Sequence, residues 1–508
     1  MPSIVFALLA VLLLYLASPG GPGLPQLAWL ALVPLCHFCR KVSAKQAFWQ
    51  GWLAFFLYQL FTIYWVVISM EQYGGLSRLL SWTALTLLAI YMALYPAIFC
   101  VLISRLDQGR LLWGAPLTWV SLEYLRGHLF SGLPWLDLAY SQHGILSVIQ
   151  CVDLGGHLLL SLIIVMVNVF IYRLISAPGK LKAQPISAAL ALLAISATLG
   201  YGPWRLEQIT AQAEEWPKIS STIIQANIDQ SVKWLESEKQ DSVDRHIALT
   251  KEAQGEKKAR LIIWPETALP FFPTLDPLMA EVMERTVMKR EYNLLAGAPF
   301  IIMRKEHYEF YNGAMLLHKD GSFGHYFKRH LVPFGEYTPL GSILPLPGPL
   351  VNTESDFSPG TSAKPLELDE KSKVGMLICV EAIYPELARK STVAGATLLA
   401  NITNDGWFGR SSAPHQHLAM TTFRAVENRR SLARAANTGI SAFILPSGRL
   451  DQTTPLFEPA HISSELPINE TLSFFSRWGH LFPLLALAAA LLIITYPGRR
   501  RGRRITIG

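Results

Sequence analysis

The chain has 508 residues, 51% of them apolar and only 16% charged, where an average soluble domain carries about 25% charge. That length asks for about three domains, and that composition excludes disorder, a collagen-like chain and a small disulfide scaffold. Charge is also segregated: residues 1–204 hold 10 Lys/Arg against 5 Asp/Glu, residues 205–477 hold 29 against 32, and residues 478–508 hold 5 against none, so the net +7 and the pI near 9.0 describe basic loops beside apolar spans and not a nucleic-acid binder.

In chain order, eight stretches read as membrane spans: 3–18, 24–39, 47–69, 79–104, 111–125, 145–172, 186–203 and 478–496. A span needs about 20 apolar residues, with a range of roughly 17–25. The first has no Lys or Arg ahead of its apolar run and reads as a retained helix, not a cleaved leader. With the N-terminus inside, the cytoplasmic loops and tail collect Arg40, Lys41, Lys45, Arg105, Arg110, Arg173, Lys180, Lys182, Arg499, Arg500, Arg501, Arg503 and Arg504. Only Arg78 and Arg126 face outward. That bias places residues 205–477 outside the cytoplasm, tethered by spans seven and eight. Segment 126–144 is too apolar for a free loop and too polar for a span. It reads as an interfacial arm whose Arg126, His128 and Asp137 either meet lipid headgroups or pack and cap helices.

Residues 205–477 have the charge density of a water-soluble domain. After a helical linker, strands are expected at 219–228, 260–270, 293–302, 374–380 and 396–403. Helices are expected at 235–254, 276–290, 382–394 and near 414–430. Residues 313–329 form a hairpin turning at Lys319-Asp320-Gly321, and 440–454 a second one turning at Pro446–Gly448. Short apolar strands alternating with amphipathic helices specify a layered α/β domain, and the hairpins exclude an all-parallel sheet. Residues 337–360 form a long Pro-rich apolar loop, which reads as a functional lid that touches lipid or as a loop packed over the core.

Four of the five cysteines, Cys36, Cys39, Cys100 and Cys151, lie in spans, and Cys36-x-x-Cys39 has no second ligand pair, so these are packing residues. Cys379 stands alone in the outer domain, where a lone thiol is a liability unless it does chemistry. Three segments frame it. Trp264-Pro265-Glu266-Thr267 ends a strand, Lys328 follows a hairpin within YFKRHLVPFGE, and Ile378-Cys379-Val380-Glu381 lies between a strand and a helix. A thiol at a strand-to-helix turn sits beside free backbone N–H groups. A carboxylate can take its proton, and an ammonium can stabilise the thiolate and a tetrahedral oxyanion. Glu266, Lys328 and Cys379 together suit acyl transfer through a thioester. His415 and His417 are too poorly placed on a helix to make a metal site and read as caps or surface contacts. His330, beside Lys328, reads as a core hydrogen-bonding residue. No metal or cofactor is expected.

These motifs resemble those of the nitrilase, or carbon–nitrogen hydrolase, superfamily over roughly 219–450. Together with the spans, and with QANIDQSVKW, LPWLDLAYSQ, NDGWFG and ARAANTGISA, the chain is similar to the apolipoprotein N-acyltransferase family of bacteria along almost its whole length. The resemblance implies an αββα sandwich on an eight-span bundle in the bacterial inner membrane: membrane domain 1–204, periplasmic catalytic domain 205–477, and last span with basic tail 478–508. It implies that Cys379 takes an acyl chain from a membrane phospholipid and passes it to the N-terminal diacylglyceryl-cysteine amine of an apolipoprotein. Glu266 would serve as base and then acid, and Lys328 as oxyanion stabiliser. Glu336 would be a second carboxylate positioning Lys328 or the amine, with Trp234, Asn312, Glu381 and Trp407 shaping the pocket. Nucleic acid is not an expected partner, and a monomer is expected. Val380 departs from the Tyr that often follows the nucleophile in this family. Two other readings stand beside this one: a membrane-bound amidase that gives its thioester to water, and a non-catalytic scaffold or transporter.

Overall fold

The computed structural model describes residues 2–176, 178–182, 184–288, 292–304, 307–339 and 356–496. Most of the expected lid (340–355) and the basic tail from 497 onward lie outside the described residues.

The first half is helical: α1 (Ile4–Ala17), α2 (Ala28–Lys41), α3 (Ala44–Thr62), α4 (Trp65–Ile68) running into a π turn at Ser69–Tyr73, α5 (Arg78–Arg105), α6 (Leu111–Arg126), α7 (Leu146–Ile149), α8 (Val152–Ser176), α9 (Pro178–Lys182) and α10 (Pro185–Glu215). Many of their leucines and isoleucines, among them Leu12, Leu87, Ile98, Ile175 and Leu193, are exposed, as expected of a surface solvated by lipid.

Of the eight expected spans, helix length and composition support a subset. Among the described residues three helices, α5, α8 and α10, are long and apolar enough to cross a membrane, and a fourth is available if α3 and Trp65–Tyr73, bent by 49° at their break, count as one. The other expected spans are helical but short. The 14 residues of α1 rise about 21 Å, against a hydrocarbon core of roughly 30 Å. The expected seventh span and the linker behind it are one continuous helix, α10, because no breaker other than Pro203 interrupts it.

The second half contains β1 (Lys218–Gln225), α11 (Lys239–Glu256), β2 (Leu261–Ile263), α12 (Leu278–Arg285), β3 (Asn293–Arg304), β4 (His307–Leu317), β5 (Phe323–Phe327), β6 (Leu366–Glu367), β7 (Lys373–Ile378), α13 (Pro385–Val393), β8 (Leu398–Thr403), α14 (Ala413–Asn428), β9 (Leu432–Ala436), β10 (Ala442–Ile444), β11 (Leu450–Thr453) and β12 (Ala460–Pro467), followed by α15 (Phe474–Trp478) and α16 (Leu481–Thr495). The strands form two six-stranded sheets, ordered β12-β1-β2-β3-β4-β5 and β11-β10-β9-β8-β7-β6. In each, three parallel strands (β1-β2-β3, β7-β8-β9) are flanked by antiparallel ones.

Period-two alternation sorts the side chains into layers. Ile219, Ile223, Leu261, Ile263 and Leu295 face Val374, Met376, Ile378, Leu398, Ala400 and Ile402 across the middle of the sandwich. Their neighbours Ile224, Ile262 and Leu294 meet α11 and α12 on one outer face. Leu377 and Leu399 meet the helices of the other. The domain is therefore a four-layered αββα sandwich. Both expected hairpins are present, and β6, β9 and β12 are additional strands.

One outer helix serves two bodies. Nearly every residue of α14 is buried, and Met420, Phe423 and Val426 belong to the same apolar core as the membrane helices. Polar groups seal the seam. Gln416 accepts from the indole N–H groups of Trp65 (3.1 Å) and Trp135 (2.8 Å) and donates to Thr62 O (3.0 Å). Arg429, in a left-handed cap (φ 52°), donates to Asp153 at 2.9 and 2.7 Å and to Gln150 at 2.6 Å. Arg126 and Asp137 of the expected interfacial arm pair with each other, and Asp137 also meets His157 at 2.8 Å, while His128 is exposed. The arm is folded into the seam, so two of its three charges are consumed by protein and not by headgroups. Removing one partner of such a buried pair strands the other. Arg429→Ala is expected to cost about 3–5 kcal/mol, read as a lowered midpoint of thermal unfolding of the full chain in detergent micelles.

Candidate active site

Cys379 begins a short 3-10 turn (Cys379–Ile383) at the end of β7 and holds φ 51°, a left-handed conformation that a non-glycine residue adopts only when its surroundings impose it. Asn401 Nδ2 donates to its carbonyl (3.2 Å). Glu381 lies behind the turn. Its carboxylate accepts from the N–H of Ile378 (2.7 Å), of Arg329 (2.7 Å) and of His330 (3.2 Å), and from the Tyr326 hydroxyl (2.9 Å). One buried side chain thus joins the Cys379 turn to the segment that carries Lys328. These four accepted bonds brace the turn.

Glu266 follows β2 and is 6% exposed. Oε1 accepts from Asn312 Nδ2 (2.8 Å) on β4, and Oε2 accepts from the Asn404 N–H (3.0 Å) just past β8, so both sheets aim the carboxylate. The next residue, Thr267, is left-handed (φ 49°). Lys328, 1% exposed, lies one residue past β5, with Nζ 2.8 Å from Glu336 and 3.9 Å from Glu266. Asn312 donates to Glu336 as well (2.8 Å), and Glu336 Oε2 accepts from the Val332 N–H (2.8 Å).

The protonation states follow from burial and neighbours. Burial, aided by Glu266, pushes the Cys379 thiol up to about 12, with Lys328 pulling the other way. Burial raises the Glu266 carboxyl, with Lys328 opposing and Glu336 adding to the rise. Burial alone would lower Lys328, but Glu336, Cys379 and Glu266 hold it above its usual range. Burial thus favours a neutral thiol and a carboxylate more basic than usual, and the anions around Lys328 favour its charged ammonium. That set can pass a proton from sulfur to carboxylate as sulfur attacks, and hold the negative charge that develops.

The structure therefore gathers Glu266, Lys328, Glu336, Asn312 and Cys379. Trp234 is half-buried beside Lys233, whose ammonium donates to Glu266 O (2.9 Å). Trp407 is half-buried in a 3-10 turn (Asp405–Phe408). Its ring meets Tyr73 at 5.4 Å, and its carbonyl accepts from Ser69 Oγ (2.7 Å), which seats this turn on the broken helix of the membrane half. His417 is not the surface group expected from its spacing. It is buried against Asp405 (3.2 Å), itself bound by Arg434 (2.7 Å). Lys233, Asn404 and this network were missed because each works through contacts distant in sequence. The adjoining QSVKW and NDGWFG stretches were the available signal. A metal has a candidate grouping only elsewhere among the described residues: Glu252, Glu256 and His461, on α11 and β12, with ligand atoms within 4.8 Å of one another.

Gly297 on β3 lies against this turn. A Cβ there would meet the Thr267 nitrogen at 2.5 Å and the Glu266 Cα at 2.7 Å. Gly297→Ala is therefore expected to displace Glu266 and slow acylation of Cys379 at least about tenfold while the chain still folds, measured by timed intact-mass analysis beside a melting curve.

Comparison with known proteins gives matches over both halves. The family described as apolipoprotein N-acyltransferase N-terminal domain matches residues 10–170, and carbon-nitrogen hydrolase matches residues 222–471. An apolipoprotein N-acyltransferase of Geobacter metallireducens is 38% identical over 445 residues, covering 86% of this chain and 84% of that protein. One of Pseudomonas putida is 33% identical over 473 residues, covering 89% and 88%. Among solved structures, an amidase from Nesterenkonia sp. aligns at 20% identity over 50% of this chain and 91% of its own, with a TM-score of 0.37. Nit3 of Saccharomyces cerevisiae, a member of branch 10 of the nitrilase superfamily, aligns at 17% over 56% and 97%, with a TM-score of 0.39.

Proposed function

The chain belongs to the apolipoprotein N-acyltransferase family and is an acyltransferase, and from that premise we propose that Cys379 carries a fatty acyl chain from a membrane phospholipid to the N-terminal diacylglyceryl-cysteine amine of an apolipoprotein. The observation that carries this reading is Lys328 at 3.9 Å from Glu266, with both groups acting electrostatically on buried Cys379, in a sandwich whose outer helix α14 is packed into the membrane bundle.

In the first half-reaction the Cys379 sulfur attacks the ester carbonyl as its proton passes to Glu266. Lys328 and the backbone N–H groups of the turn hold the oxyanion. Collapse of the tetrahedral species breaks the ester C–O bond. Glu266 returns the proton to the leaving oxygen, and a lysophospholipid departs. In the second half-reaction the acceptor amine attacks the thioester, the C–N bond forms, the C–S bond breaks, and the amine's proton reaches the thiolate by way of Glu266. Glu336 and Asn312 keep Lys328 and Glu266 aligned throughout. Trp234 and Trp407 line the acyl pocket, with Val380 in place of an aromatic residue beside the nucleophile.

Membrane seating follows from cost. Drawing an acyl chain into water costs about 0.8 kcal/mol per CH₂, so the thiol is brought to the bilayer. In this reading residues 205–477 face the periplasm from the bacterial inner membrane. The N-terminus and tail lie in the cytoplasm, and the short helices cross with their flanks at the interface, completing an eight-crossing topology.

Mixing the full chain with phospholipid should give one acyl adduct on Cys379 by intact mass. Glu266→Gln and Cys379→Ala should give none, and a diacylated N-terminal cysteine peptide should discharge the adduct as N-acyl peptide. Release as free fatty acid would support a hydrolase instead. The acid limb of the acylation rate is the second check. The working base is ionised Glu266, and its acidity is weakened by burial. The rate should therefore fall as pH drops through a midpoint above the ordinary carboxylate range of about 4.3, read from single-turnover adduct formation across pH.

A further inference from the structure

On the assignment of Glu266 as the base, we propose that Lys233 is a positioning residue of the acyl transfer: its buried ammonium clamps the Glu266 main chain and supplies the second cation that keeps the Glu266 carboxylate ionised.

Lys233 lies in the segment after β1 and is 1% exposed. Its ammonium donates to the carbonyl oxygen of Glu266 at 2.9 Å. That carbonyl belongs to the peptide leading into left-handed Thr267, so the bond pins the strained turn on which the base stands. Capping one carbonyl does not need a lysine. Taking an ammonium out of water is costly, and a neutral amide would make the same hydrogen bond more cheaply. What the ammonium alone adds is charge, and the anion it acts on is Glu266.

The inventory around the base supports this. Lys328 and Glu336 face it from the segment after β5, Cys379 from the end of β7, and Asp405, spent on Arg434, stands behind Cys379. His246 of α11 packs near Lys233 and is pushed down to about 4 by burial, so it adds no charge at neutral pH. Lys328 stands closer to Glu336, at 2.8 Å, than to Glu266, at 3.9 Å. Lys233 therefore adds a second ammonium to a pocket in which Lys328 is already engaged by Glu336, and it acts on Glu266 against the rise that burial imposes. Burial also lowers Lys233 to about 8, with Glu266 opposing the fall.

The test uses the full chain in detergent micelles with a phospholipid donor and follows acyl-adduct formation by intact mass at several pH values. Lys233→Met removes bond and charge, Lys233→Gln keeps a donor for the carbonyl without charge, and Lys233→Arg keeps the charge. Melting curves select the folded variants. In Lys233→Gln, and in Lys233→Met where it folds, the expected results are an acid limb moved upward by about one pH unit and an acylation rate at least about tenfold lower at mildly acidic pH. The apparent KM for phospholipid should stay within about twofold, and Lys233→Arg should keep the wild-type limb. An unmoved acid limb in Lys233→Gln, or a loss confined to KM, would overturn the proposal. Wild-type protein that forms no adduct would overturn the base assignment and this proposal with it. An adduct in wild type, none in Glu266→Gln and an unchanged Lys233→Gln would remove this proposal alone.

Discussion

Charge held out of water governs this site. Two carboxylates, two ammonium groups and a thiol share a pocket from which solvent is nearly absent. None of them tolerates that setting alone, because desolvation penalises every ionised form. Each is kept by a neighbour. Lys328 is held by Glu336, Glu266 by Asn312 and the Asn404 N–H, and the Glu336 carboxylate by the Val332 N–H. The same dryness that makes the cluster expensive strengthens its attraction for a developing oxyanion. It also keeps bulk water away from the thiol.

The sandwich is built to supply those neighbours. Asn312 comes from β4 in one sheet and Asn404 follows β8 in the other, and both bind one carboxylate. Glu381 braces the nucleophile's turn against the lysine's segment through four backbone and hydroxyl donors. The site lies where the sheets' strands end, and it depends on their register: a one-residue slip in β7 or β8 would turn every side chain to the opposite face.

How much of this the sequence disclosed follows from how local each signal is. The β-branched and apolar runs ISSTIIQ and VGMLI, set between amphipathic helices, and the Gly-marked turns exposed the layers and hairpins, since those signals lie within a few residues. Glu266, Lys328 and Cys379 stood out because each closes a strand or hairpin with a residue type suited to one role. Lys233 and His417 did not, because what matters about them is a partner 33 or 12 residues away. The spans were legible only in part for a related reason. Hydropathy registers apolar content, while crossing also depends on unbroken helix length, and α1, α2 and α16 are 14, 14 and 15 residues long. The short strands β6 and β9 carry too few residues for a period to be read.

Helix α14 belongs to two cores at once, with Met420, Phe423 and Val426 in the bundle and Leu418 and Ala425 against the second sheet. Such sharing makes the hydrolase-like half inseparable from its anchor. Cut free, it would bare an oily stripe and leave Arg424 and Arg429 without their companions Tyr140 and Asp153. Solubility and catalysis are thus traded within a single helix, and an evolutionary passage between a free-standing hydrolase and a lipid-bound enzyme would have to rewrite that helix first.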